Sequence, residues 1–160
     1  MFEVLVFVYE NYWQGDACPG IPQLERKLSA AGFEAGEIRD ALHWLAGLNR
    51  ATHDTRKASA ETITAYDGSP DSLRVYSVSE QNHLGAACLG FVSFLESAGV
   101  LSAPLREIVI DRAMAVRGDP VLDLDDLKII ILLVYWSLGT EPDALILDEL
   151  CDDNTGRLAH

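Results

Sequence analysis

The sequence predicts a mainly α-helical protein, with a winged-helix-like amino-terminal part over residues 1–78 that includes a short β-hairpin, and a helical bundle over 79–160. Three observations lead there. Apolar residues recur at helical spacing through most of the chain. Glycine followed by an apolar residue ends two of these stretches, at Gly32–Phe33 and Gly99–Val100, the chemistry of a left-handed helix cap closed by a hydrophobic contact. Side chains alternate in one region, 62–76, around a Gly68–Ser69–Pro70 turn.

Residues 2–13 are apolar at almost every position, and their length favours a buried helix over a buried strand. A turn-rich connection over 16–22 leads to Pro22, which is tolerated in the first turn of a helix, and Ile21, Leu24, Leu28 and Ala31 then form one stripe. A third helix is expected over 34–49 from the spacing of Ile38, Ala41, Leu42, Leu45 and Leu48. Residues 51–60 are polar and without period, which predicts a loop. Three helices and then the hairpin of 62–66 and 73–76 give the order of a winged-helix domain.

The second half reads as helices throughout. Ser77 and Glu80 have capping-box spacing, and Leu84, Cys88, Phe91, Leu95 and Ala98 follow as a core stripe. Ala86, Gly90, Ser93 and Ser97 make a strip of small residues, for which close approach of another helix is one explanation. Ser102 is placed to cap a helix running to Val116, and Asp123 to cap one over 124–138 whose first turn holds Asp125 and Asp126. A last helix is expected from Thr140 through Cys151.

The segments now in view are MFEVLVFVYENY at 1–12, LERKLSAAGF at 24–33, ALHWLAGL at 41–48, SLRVYSVSE at 72–80, CLGFVSFLESAGVL at 88–101 and DLDDLKIIILLVYW at 123–136. In their order and spacing they resemble the Smg family of bacterial proteins. The resemblance covers nearly the whole chain and is weakest over 51–70 and after Leu150. It implies a family of unknown function with no catalytic or ligand residues to carry onto these positions.

Composition narrows the function classes. The chain of 160 residues suits one medium domain or two small ones, and 49% hydrophobic with 23% charged residues is ordinary for a folded protein. Cys18, Cys88 and Cys151 are odd in number and widely spaced, so neither a disulfide framework nor a zinc knuckle is expected, and a reducing cytoplasm fits. The longest apolar run, 129–136, is too short for a bilayer span of about 20 residues. The amino terminus lacks a basic leader and a cleavage site.

No catalytic constellation is recognisable, and neither a cofactor nor a metal site is expected: His43, His53, His83 and His160 show no ligand spacing, and helix capping accounts for Asp123, Asp125 and Asp126. A non-enzymatic cytoplasmic protein-interaction module is therefore the leading expectation, with Tyr12, Trp13, His43 and Trp44 as its candidate surface. The alternative is a nucleic-acid-associated factor using Arg39, Arg50, Arg56, Lys57 and Arg74 from the helix-turn-helix and wing. An enzyme of unrecognised type ranks third. Against the alternative stands a formal net charge of −13, from 25 acidic and 12 basic residues, which predicts that no face is positive enough to hold a polyanion.

Overall fold

The structure, a computed structural model, describes residues 1–12, 20–61, 74–117 and 121–140. Among them the chain forms six helices: α1 Phe2–Tyr12, α2 Ile21–Ala30, α3 Ala35–Glu61, α4 Val78–Ser97, α5 Ala103–Met114 and α6 Leu124–Leu138. The most apolar helix is the hub. Every residue of α6 from Leu127 to Tyr135 is buried, because α1, α3, α4 and α5 all pack against it. Residues from both sides of position 78 share one hydrophobic cluster, in which Leu5, Leu28 and Leu48 join Leu84, Leu95, Ile130 and Leu133.

The local reasons are those of helix termini. α2 carries its proline in the first turn, and Gly32 at φ 96° then lets the Phe33 amide donate to the Leu28 carbonyl at 3.3 Å. Phe33 folds edge-on to Phe7 of α1, with ring centroids 5.4 Å apart. The Ser77 and Glu80 capping box closes reciprocally at the start of α4. Asp123 accepts from the Asp125 amide, and Gly139 ends α6 in the left-handed conformation at φ 68°. Ser102 stands at the start of α5 without making a side-chain cap.

Several expectations are corrected. The winged-helix and hairpin reading is not supported: no strand occurs among the described residues, 74–77 are irregular, and 62–73 lie outside them. The polar stretch after Arg50 is not a loop, since α3 continues to Glu61. Thr52, Thr55 and Arg56 bond to the helix itself or to α6. Thr52 donates back to the Leu48 carbonyl at 3.0 Å and lies 2.8 Å from the Ser137 hydroxyl, while Arg56 donates to the Leu138 carbonyl at the exposed end of α6. Among the described residues no other helix covers Gly90, where an added Cβ would meet none of their atoms. The helix expected from Thr140 falls on 141–160, outside the described residues.

α4 is broken rather than continuous. Gly85 has φ 68° and ψ 172°, a conformation that residues with a Cβ avoid, so the helix kinks there. The carbonyl of His83, freed by the kink, accepts from the Leu122 amide at 2.7 Å, and the Cys88 thiol donates to the Leu122 carbonyl at 3.3 Å. The kink therefore joins α4 to the segment that leads into α6.

Candidate functional site

One face of α3 and the carboxy-terminal end of α5 enclose a cleft of about 670 Å³. From α3 come Arg39, Asp40, His43, Gly47 and Arg50; from α5 and its exit come Arg112, Met114, Ala115 and Arg117; Met1 and Trp44 complete the wall. The α3 residues reach one face for a simple reason: positions 39, 43, 47 and 50 are spaced by four, four and three, which keeps them within one stripe of a helix.

Arg112 enters because Gly47 leaves room for it. A Cβ built on Gly47 would run into the Arg112 guanidinium, so this glycine serves close approach of a charged group to the α3 backbone. The guanidinium is held from its other side by Asp111, at 3.0 Å from Nε and 2.7 Å from Nη2. Among the described residues no carboxylate pairs with Arg39, Arg50 or Arg117. Among the described residues Asp40 is the one carboxylate in the lining, and the Met1 ammonium is paired with Glu37 at 3.3 Å.

A helix carboxy terminus ordinarily presents bare carbonyls, which repel anions. Here those of Asp111, Arg112 and Ala113 are engaged. The Arg112 carbonyl accepts from the Trp44 indole at 2.9 Å, the Ala113 carbonyl lies 3.1 Å from His83 Nε2, and the Asp111 and Ala113 carbonyls accept from the Ala115 and Val116 amides. The cleft thus has guanidinium walls and a floor of satisfied backbone, an arrangement suited to holding carboxylate or phosphate oxygens.

Of the sequence-derived positions, Arg39, His43 and Arg50 come together, all exposed, in this cleft. Trp44 borders it but is only 3% exposed, with its N–H committed, so it is a core residue and not a docking aromatic. Tyr12 lies elsewhere, half-buried with the Lys27 ammonium 5.2 Å from its ring centre, and Trp13 is outside the described residues. Arg56 is spent on the end of α6, and Lys57 is exposed.

Arg74 is taken up by a network. Its guanidinium forks onto both oxygens of Glu80, each at 2.9 Å, and onto Glu107, also at 2.9 Å, while lying over the Tyr76 ring. Glu107 in turn meets Arg106, which also pairs with Glu96. Hydrogen bonding to Arg74 holds the Glu80 carboxyl down to about 2 and lowers Glu107 as well. The Cys88 thiol, by contrast, is pushed up to about 11, first by burial and then by Asp123 and Asp126, which leaves it an unreactive thiol.

Arginines are gathered more closely in this cleft than the net charge alone suggests. Net charge counts residues without placing them, and four arginines, two from α3, one from α5 and one from the segment after it, converge here on a molecule that is acidic as a whole. Sequence reasoning missed Arg112 and Arg117. The stripe formed by Arg39, His43, Gly47 and Arg50 was a signal within α3, but nothing local announces that the end of α5 lies across it.

Among the described residues no three His, Cys, Asp or Glu side chains gather as a metal site would require, and no helix is long and apolar enough to cross a membrane. The profile of a family described as "Protein of unknown function (DUF494)" matches residues 1–160. The chain is 61% identical to a protein named Protein Smg homolog from Methylibium petroleiphilum and 59% identical to one from Leptothrix cholodnii, each over 160 residues and the full length of both chains. A Protein Smg homolog from Bordetella avium is 47% identical over the same span. No solved structure gives a significant match. Matched from end to end by the family profile and by these relatives, the chain belongs to the Smg family, whose function is unknown.

Proposed function

We propose that this protein is a non-enzymatic cytoplasmic interaction module that holds an acidic segment of another protein in the α3/α5 cleft. The observation that carries the reading is the convergence of Arg39, Arg50, Arg112 and Arg117 on one concave surface of a molecule with a net charge of −13. Such a surface attracts anions locally, while the rest of the molecule repels a long polyanion that would extend past the cleft. Cysteine usage supports the compartment. Among the described residues that line the cleft none is a serine, threonine, cysteine or lysine that could act as a nucleophile, and its guanidinium and imidazole groups are read as groups that recognise a ligand.

A second reading, binding of single-stranded nucleic acid, has a specific observation in its favour, because Arg39 and Arg50 line the cleft. Against it, Trp44, the one tryptophan among the described residues of the lining, is 3% exposed and offers no free ring face to a base. Fluorescence anisotropy with a labelled acidic peptide and a labelled oligothymidylate, each titrated at rising salt, separates the two. The proposal expects the peptide to bind and the oligonucleotide to bind more weakly at every salt concentration; the reverse order overturns it.

A further inference from the structure

The chain leaves α6 against the same helix that forms one wall of the cleft. Arg56 of α3 donates to the Leu138 carbonyl, and a Cβ built on Gly139 would lie 3.9 Å from the Arg56 guanidinium, so α6 ends on the surface of α3 at the level of Arg56. Arg50, at the near end of the cleft, stands about 9 Å back along the axis of α3 and about a third of a turn around it. On a helix about 10–12 Å across, that is a surface path of about 15 Å. The path runs away from the packed side, because Thr52, which meets Ser137 of α6, lies across α3 from Arg50.

The sequence beyond Thr140 carries the opposite charge to the cleft. Residues 141–160 include the acidic side chains Glu141, Asp143, Asp148, Glu149, Asp152 and Asp153, and their one lysine or arginine is Arg157. The stretch 148–153 holds four of these carboxylates, whereas 13–19 and 62–73 offer Asp16, Asp67 and Asp71, none adjacent to another. From Thr140 to Asp153 the chain reaches about 45 Å if extended and about 20 Å if helical, so either conformation covers the path to Arg50.

Resting on the reading of the cleft as a site for acidic peptide, we propose that the chain's own segment 148–153 occupies the α3/α5 cleft and is displaced from it by the acidic segment of a partner. Among the described residues no carboxylate pairs with Arg39, Arg50 or Arg117, and this segment brings four. Tethering sets the competition. A short connection presents the segment at an effective concentration of order 1 mM, so a detached affinity of order 0.1 mM suffices to fill the cleft about nine-tenths of the time and to weaken a competing peptide about tenfold. A partner therefore has to bind the cleft more tightly than scattered carboxylates do, which screens out unrelated acidic sequences.

The test keeps the full chain and neutralises the segment in place, as D148N/E149Q/D152N/D153N. Two labelled probes are titrated by fluorescence anisotropy: hexaglutamate, and a peptide of residues 148–154 with serine in place of Cys151. Both are expected to bind the neutralised chain about tenfold more tightly than the wild type. Adding R39E/R50E, at exposed positions of α3, should remove at least about tenfold of that affinity. A control that neutralises four exposed carboxylates outside the lining, E3Q/E10Q/E25Q/E34Q, lowers the net charge equally and should stay within about twofold of the wild type. Equal affinity of the wild type and the neutralised chain, or an equal gain in the control, overturns occupancy by 148–153 while the protein-binding reading stands. So does binding of hexaglutamate without binding of the 148–154 peptide. Failure of both probes to bind the neutralised chain overturns both readings.

Discussion

Trp44 shows how a single side chain couples the core to the surface. Its indole is buried against the hydrophobic cluster, and its N–H donates to the Arg112 carbonyl, so it anchors the backbone from which the Arg112 side chain reaches into the cleft. Replacing it by alanine should cost about 3–5 kcal/mol through the cavity left behind. W44F, which keeps most of the apolar volume but deletes the donor, should cost about 1–2 kcal/mol and leave a carbonyl unsatisfied. Chemical denaturation of the two variants checks both values. This role was legible in part: Trp44 is three residues from Ala41 and four from Leu48, on the edge of the predicted core stripe. Its hydrogen-bond acceptor was not, since Arg112 is distant in the chain and carries no motif.

At the scale of the element, two glycines of α4 make opposite predictions. Gly85 holds a positive φ, and an added Cβ would lie 3.0 Å from Val121, so G85A should destabilise by about 1–3 kcal/mol. Gly90 has helical geometry and open space around it, so G90A should stabilise by about 0.5–1 kcal/mol through helix propensity. Thermal unfolding of the pair separates a glycine needed for the backbone from one that is merely tolerated. The start of α4 responds to pH. Glu80 closes the capping box and binds Arg74, and its carboxyl is held down to about 2; the stability it contributes is therefore complete above the ordinary glutamate range and is lost as pH falls from about 4.5 toward about 2. E80Q should cost about 1–2 kcal/mol at neutral pH and flatten this acid limb, as followed by circular dichroism.

The same scale shows where sequence reading stops. Capping boxes, the Gly32 and Gly139 terminators and the apolar run of α6 are written in adjacent residues, and they were found. The carboxy-terminal half of α3 was not. Its residues lack an apolar period because they are stabilised by Ser137 and by the Leu138 carbonyl, partners more than eighty positions away. The wing was inferred from alternation around the Gly68–Ser69–Pro70 turn after three helices, and over 74–77 an irregular segment satisfies the same alternation because Arg74 and Tyr76 are held by contacts with their neighbours.

For the whole molecule the decisive property is uneven charge. If the proposed function holds, an acidic molecule whose described residues gather arginines on a concave face would repel anionic segments from most directions and admit them at that face, which would orient encounter as well as strengthen it. Salt near physiological strength, with a screening length of about 8 Å, should weaken this guidance and slow association more than it speeds dissociation, a difference that stopped-flow mixing measures. The bonds that tie Thr52 and Arg56 of α3 to Ser137 and Leu138 of α6 have a kinetic counterpart. Opening α3 as far back as Arg56 breaks a bond to the end of α6, so backbone amides around Arg56 and in the last turn of α6 near Leu138 should exchange with deuterium at matched rates, and R56A should accelerate both together.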